Sequence, residues 1–229
     1  MQAICYIAHD HLANSSSQQF LIASGEALSK IDYVDLTAEW ERKGFFDSNQ
    51  ELARITNYDR ILFQFPLYWY QAPAILKIWM DQVFNEQLNI KQTQKILKDK
   101  EFGIVLTVGS RLDSFQPGER AGVSITDLMS PYYAWANYFD MKYRPPFIIS
   151  QFHYLTEEEK NHLMIDYVTY LKTGRLHLLE DKVSVLLEEL DQLELDLEPL
   201  DQLIYDQFIQ KLIDQSDELK ELEFLDEES

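Results

Sequence analysis

The chain has 229 residues, 46% hydrophobic and 13% aromatic, enough for one ordinary domain with a real core plus an appendage. Its net charge of −19, with residues 1–172 near balance at 21 acidic and 16 basic side chains, argues against the clustered Lys and Arg that nucleic acid or an anionic membrane surface would need. The single cysteine, Cys5, excludes a disulfide framework, and the lack of signal-peptide order or of any membrane-length apolar run points to a soluble, cytoplasmic protein without membrane insertion.

AICYIA (3–8) is a short continuous apolar run, as expected of a strand buried on both faces. HDHLANSSS (9–17) supplies turn and cap residues, and QQFLIASGEALSK (18–30) places Phe20, Leu21, Ala23, Ala27 and Leu28 at helical spacing. IDYVDL (31–36) reads as a second strand, NQELARITNY (49–58) as a short helix and RILFQF (60–65) as a third strand. The segment FPLYWYQAP (65–73) is too aromatic for a plain solvent loop and too broken by proline for core. The spacing after it predicts a helix to residue 84, with Ile75, Leu76, Trp79, Met80, Val83 and Phe84 inside and Lys77 and Asp81 outside. FGIVLTV (102–108) is a fourth strand, residues 125–139 form a helix interrupted near Pro131, and FIIS (147–150) is a fifth strand. Thr156 and Glu159 make a capping box for the last helix of the main unit, which Gly174 closes.

This repeated strand–helix alternation implies an α/β, doubly wound parallel sheet, because parallel neighbours need crossovers. Such sheets bind ligands outside the carboxyl ends of the strands. Loops 9–17, 66–73 and 107–122 are therefore expected to converge. No fixed-period repeat or low-complexity linker is visible. A composition shift at Gly174 divides the chain into 1–174 and an acidic helical extension, 175–229. Residues 173–229 hold 18 acidic and 4 basic side chains, against 21 and 16 in residues 1–172. Apolar residues at 183, 186/187, 190, 193, 197, 200 and 204 keep three-four spacing, and Pro199 should end one helix or begin another. The extension is then a helical hairpin across the main unit or its dimer mate, or a dedicated helix for a basic partner.

In the first loop a serine cluster at a helix start is explained by capping of orphan backbone donors, and the sharper reading adds a phosphate cradle with His9 beside it. His9 and His11 lack nearby partners in sequence for a metal site. In the second, the rings of PLYWY suit a flat conjugated ligand or a hydrophobic protein patch. In the third, Thr107, Gly109 and Ser110 offer a tight turn with exposed amides able to stabilise negative charge. Phosphate donors, stacking rings and an amide turn on one edge together describe a flavin mononucleotide site.

The segment FQFPLYWYQAPAILKIWMDQVF (63–84) strongly resembles the FPLYWYSVPALLKGWIDRVF-like segment of flavodoxin-like NAD(P)H:quinone oxidoreductases, which include ancillary flavoproteins of glutathione-gated potassium-efflux systems. Weaker agreement runs over residues 1–172. The resemblance implies a flavodoxin-like five-stranded parallel sheet of order 2-1-3-4-5 and a homodimer with each flavin near the subunit interface. It implies His9, Ser15, Ser16, Ser17 and Gln18 at the phosphate, Pro66, Leu67, Tyr68 and Trp69 at the ring, and Thr107, Val108, Gly109 and Ser110 over its polar edge. The implied cofactor is FMN, or FAD, with NADPH or NADH as electron donor and a quinone or similar small aromatic acceptor. The sequence departs from the family at Asp10, where proline is usual, at Gln18 for asparagine, at Ser110 for glycine and at Phe115 near a tyrosine. No histidine lies between 116 and 125. Three functions stay open: an oxidoreductase, a flavin-binding regulatory subunit, and an interaction protein that has lost the cofactor.

Overall fold

The computed structural model describes residues 1–26, 31–176, 178–191, 198 and 201–214. Three buried strands form its middle: β1 (Ala3–Ile7), β3 (Arg60–Pro66) and β4 (Glu101–Val108), every residue of which is buried. β2 (Ile31–Asp35) is the half-buried edge beside β1. Pairing is parallel throughout, in the order β2-β1-β3-β4, and the track beyond β4 is shared by two short pieces. β5 (Lys142–Tyr143) pairs with the start of β4, and β6 (Phe147–Ser150) with its end. Pro145 and Pro146, which lack the N–H a ladder needs, separate them. The expected order 2-1-3-4-5 holds, with its fifth strand in two parts.

Side-chain alternation along the strands divides the core. Ile4, Tyr6, Ile61, Phe63, Phe65, Phe102, Ile104 and Leu106 face one layer. That layer contains α2 (Leu36–Lys43), α3 (Ser48–Thr56), α4 (Ala74–Val83), α5 (Ile90–Leu97), α6 (Ile125–Leu128) and α7 (Ser130–Tyr138). Cys5, Ile7, Leu62 and Val105 face the other layer, built from α1 (Ser16–Glu26) and α8 (Glu157–Thr173).

The interruption near Pro131 is the junction of α6 and α7, with Pro131 in the first turn of α7. In α4, Ile75, Leu76, Trp79 and Val83 are buried, Met80 and Phe84 pack partly against the core, and Lys77 and Asp81 are exposed. α8 carries the Thr156–Glu159 capping box and ends at Gly174, φ 67°. Two helices escape the sequence reading, α2 and α5; each starts on an Asx cap, Asp35 and Asn89. The first helix begins two residues earlier than expected, and the expected positions Ala27 and Leu28 lie outside the described residues.

Beyond Gly174, α9 (Leu179–Asp191) lies on α8. Lys172 pairs with Glu188 and Glu189, Lys182 with Asp166, and Arg175 with Asp181, while Val185 is buried. Residues 201–214 are helical, and the Tyr205 hydroxyl donates to the Leu190 carbonyl at 2.8 Å. The expectations for 193, 197, Pro199 and 200 lie outside the described residues. No helix among the described residues is long and apolar enough to cross a membrane.

Candidate functional site

Hydrogen bonds between loops join the carboxyl ends of β1, β3, β4 and β6. The Leu67 N–H donates to the Thr107 carbonyl at 2.9 Å, the Gln151 N–H to the Val108 carbonyl at 2.8 Å, and Ser150 Oγ to the Ser110 carbonyl at 3.2 Å. His9 Nε2 lies 3.3 Å from the Tyr68 hydroxyl, and Ser16 Oγ lies 3.4 Å from His153 Nδ1. The three expected loops therefore meet, together with a fourth, residues 151–155. The rule that selected the others, a loop following a parallel strand, also applies to this one.

Two adjoining pockets occupy this edge. One, of about 220 Å³, is lined by His9, Ser15, Ser17, Pro66, Leu67, Tyr68 and Thr107–Gly109, and closed by Gln151–Tyr154. The other, of about 150 Å³, shares Leu67, Val108 and Gly109 and adds Trp69, Tyr70, Ser110, Phe115 and Arg120. Every expected site residue except Ser16 and Gln18 lines one or the other. Ser16 is exposed and faces His153 instead. The Gln18 side chain is fully buried and turned inward to Gln64 and Thr107, which leaves its backbone N–H at the helix start. Pro66 is the last paired residue of β3, opposite Thr107, rather than a residue just past the strand.

Tyr68 and Gln71 exchange two backbone hydrogen bonds, 2.9 and 3.0 Å, across Trp69 and Tyr70, whose φ angles are 50° and 66°. Positive φ at both central positions is the signature of a type I′ hairpin, a turn that usually takes Asn-Gly. Here it carries two large rings and leaves Trp69 93% exposed. Tyr70 meets Phe115 edge-on at 6.5 Å between ring centres.

The contacts of the His9 ring fit its neutral form. Nδ1 accepts the His11 N–H at 3.0 Å, which only a neutral ring can do, so the ring proton sits on Nε2 and faces Tyr68. Burial lowers its pKa below the ordinary 6.5, with Asp10 and Asp35 opposing and His11 adding to the shift. In the adjacent serine cluster, the first intrahelical donor of α1 is the Gln19 N–H, to the Ser15 carbonyl at 2.9 Å. The N–H groups of Ser16, Ser17 and Gln18 precede it at the positive end of the helix.

Two larger depressions lie elsewhere. The one between α3 and α5, about 540 Å³, is lined by neutral amides, hydroxyls and a few aliphatics, with no ring and no ionisable group. The one between α4 and α7, about 650 Å³, is mainly apolar with Lys77 and Asp81 at its rim. The first carries no ring, and no serine or histidine lines the second.

Fold and site together define a doubly wound α/β protein with pockets at the carboxyl edge of its sheet, where such sheets bind ligands. A family model described as flavodoxin-like fold matches residues 6–171, and the chain belongs to that family. General stress protein 14 of Bacillus subtilis (strain 168) is 33% identical over 165 residues, covering 71% of this chain and 92% of its own length. KefG of Cronobacter sakazakii (strain ATCC BAA-894), an ancillary protein of the glutathione-regulated potassium-efflux system, is 29% identical over 142 residues, 62% of this chain and 77% of its own. Among solved structures, an NADPH-quinone reductase from P. pentosaceus superposes with a TM-score of 0.67 at 34% identity, covering 76% of this chain and 99% of that one.

Proposed function

We propose that the chain is an FMN-dependent NAD(P)H:quinone oxidoreductase. The observation that carries this reading is the meeting, on one edge, of the α1 start, the ring-bearing hairpin and the exposed Gly109–Ser110 turn. The residues suit the group. Ser15, Ser17 and the first-turn N–H groups of α1 present donors and a positive helix end to a phosphate, and neutral His9 adds an Nε2–H donor. Leu67 and Trp69 offer apolar and aromatic surface to a ring. A Cβ built at Gly109 would meet nothing within 4 Å, so the backbone there is open to a close neighbour. When bound, FMN supplies the redox chemistry, taking two electrons from NADPH or NADH and passing them to a quinone or similar flat acceptor. The protein contributes binding, orientation and electrostatics.

The name of the P. pentosaceus relative supports the activity, and FMN is preferred to FAD because the described residues at this edge form no pocket for a second nucleotide. The same reading includes a cytoplasmic homodimer, with the flavin-binding unit ending at Gly174 and 175–229 as an acidic extension. A second reading, a flavin-binding regulatory subunit with little turnover, draws on Phe115, which brings no hydroxyl to the ring pocket, and on the efflux-system relative. Purified protein should be yellow, bleach with NADPH under anaerobic conditions and recover colour on adding a quinone. Bleaching without recovery would favour the regulatory subunit; a colourless, folded protein that takes up no added FMN would overturn both.

A further inference from the structure

Gln64 is a polar residue in the middle of a fully buried strand, on the face where Cys5, Leu62 and Val105 pack against α1 and α8. Its amide oxygen accepts the Tyr167 hydroxyl at 2.7 Å and the Cys5 thiol at 3.7 Å. Its nitrogen donates to the Gln18 amide oxygen at 2.8 Å, and the Gln18 nitrogen donates to Thr107 Oγ1 at 3.3 Å. An amide carries its acceptor and its donors at opposite ends, so fixing one end of the chain fixes every link. With the Tyr167 proton given to Gln64, the 3.0 Å contact between Tyr33 and Tyr167 has Tyr33 as donor. Reversing the chain would turn the Gln64 NH₂ toward the Cys5 sulfur and forfeit the S–H contact. All protons therefore run one way, from Tyr33 to Thr107. Burial pushes both phenols well above their ordinary pKa, so neither loses its proton near neutrality. Gly25 permits the geometry, since a Cβ there would fall 1.8 Å from the Tyr33 hydroxyl oxygen.

Thr107 ends this chain and also lines the 220 Å³ pocket. We propose that Tyr167, Gln64 and Gln18 are positioning residues that occupy a lone pair of Thr107 and turn its hydroxyl proton into the pocket, making Thr107 a fixed donor to an acceptor atom of the bound flavin. This rests on the flavin reading above and adds to it a role for four residues. The departure from asparagine at Gln18 also gains a cause: the longer side chain reaches from the helix start to both Gln64 and Thr107.

The test is FMN affinity by fluorescence quenching on the full chain, with thermal midpoints measured in parallel. Thr107→Val, which keeps the shape and removes the donor, should weaken FMN binding about tenfold, while Thr107→Ser should stay close to the parent. Tyr167→Phe leaves Thr107 in place but frees the Gln64 amide to turn over, and should weaken binding several-fold. In a Thr107→Val background that second effect should vanish, because no proton remains to be aimed. Equal FMN affinity in Thr107→Val and the parent would overturn the proposal. So would a Tyr167→Phe effect that persists undiminished in the double variant, which would mark the chain as purely structural. A parent protein that binds no FMN would instead sink the flavin reading itself.

Discussion

Trp69 and Tyr70 hold a backbone conformation that asparagine and glycine adopt at far lower cost, about 1–2 kcal/mol per residue for ordinary side chains. Nothing in the chain's own packing needs the Trp69 ring, which is 93% exposed. Strain kept at such a tip points to ligand contact. Trp69→Gly is therefore expected to leave the thermal midpoint unchanged or raised while lowering FMN retention roughly tenfold, within the 1–3 kcal/mol that aromatic stacking on a base contributes. Lower stability with undiminished FMN would remove Trp69 from the site. His9 gives a pH signature. Its folded pKa is depressed, so the unfolded chain takes up a proton near 6.5 while the folded ring resists. Stability is then complete above about pH 6.5 and declines as pH falls toward the folded pKa. Thermal midpoints between pH 7 and 5 should fall less for His9→Gln than for the parent; parallel curves would show that His9 charges without cost.

At the scale of elements, a buried ion cluster fastens the amino edge of the sheet. Arg60, on β3, is 1% exposed and pairs with Glu101, on β4, which also pairs with Arg144. Arg60 further donates to the Tyr170 and Leu171 carbonyls at the end of α8. Burial alone would raise the Glu101 pKa, but the Arg144 and Arg60 guanidinium groups outweigh it and hold the carboxyl below the ordinary range. This contribution is complete above the ordinary carboxylate pKa and is lost as pH falls below it. Glu101→Gln leaves Arg60 buried without its counter-ion and should cost roughly 3–5 kcal/mol in urea unfolding at pH 7, with the gap to the parent closing in acid. A constant gap down to pH 3 would remove Glu101 as the titrating group. The buried strands were legible because β1, β3 and β4 are largely apolar runs, with Gln64 the one polar break inside β3, and the three loops followed from their topology. α2 was not, since Leu36 is its only buried residue and the run IDYVDL draws Leu36 into the second strand. α5 buries only Thr93 and Leu97 of a mostly polar run. The split beyond β4 hid because Lys142–Tyr143 is too short to show periodicity. The inward turn of Gln18 was illegible for another reason: it depends on Gln64, a partner 46 residues away on another element.

For the whole molecule, the extension lies beyond the span of the family match, which stops at residue 171, while α9 begins at Leu179. α9 buries Val185 on α8, an interaction of about 2 kcal/mol by area, and adds ion pairs that are mostly half-exposed, each typically below about 1 kcal/mol. None of its residues lines the two pockets at the carboxyl edge. The extension also brings most of the negative charge, 18 acidic against 4 basic side chains in residues 173–229. Packing therefore favours the folded extension while self-repulsion opposes it, and salt screens the repulsion over roughly 10 Å at 0.1 M. A chain ending at Gly174 should retain FMN affinity, lose only a few degrees of thermal midpoint, and respond less to added salt than the full chain, whose midpoint should climb between 0.01 and 0.5 M. Loss of FMN binding on truncation would place the extension within the site. A full-chain midpoint that falls with salt would show that the Lys172, Arg175 and Lys182 pairs, rather than the surplus of carboxylates, dominate its electrostatics.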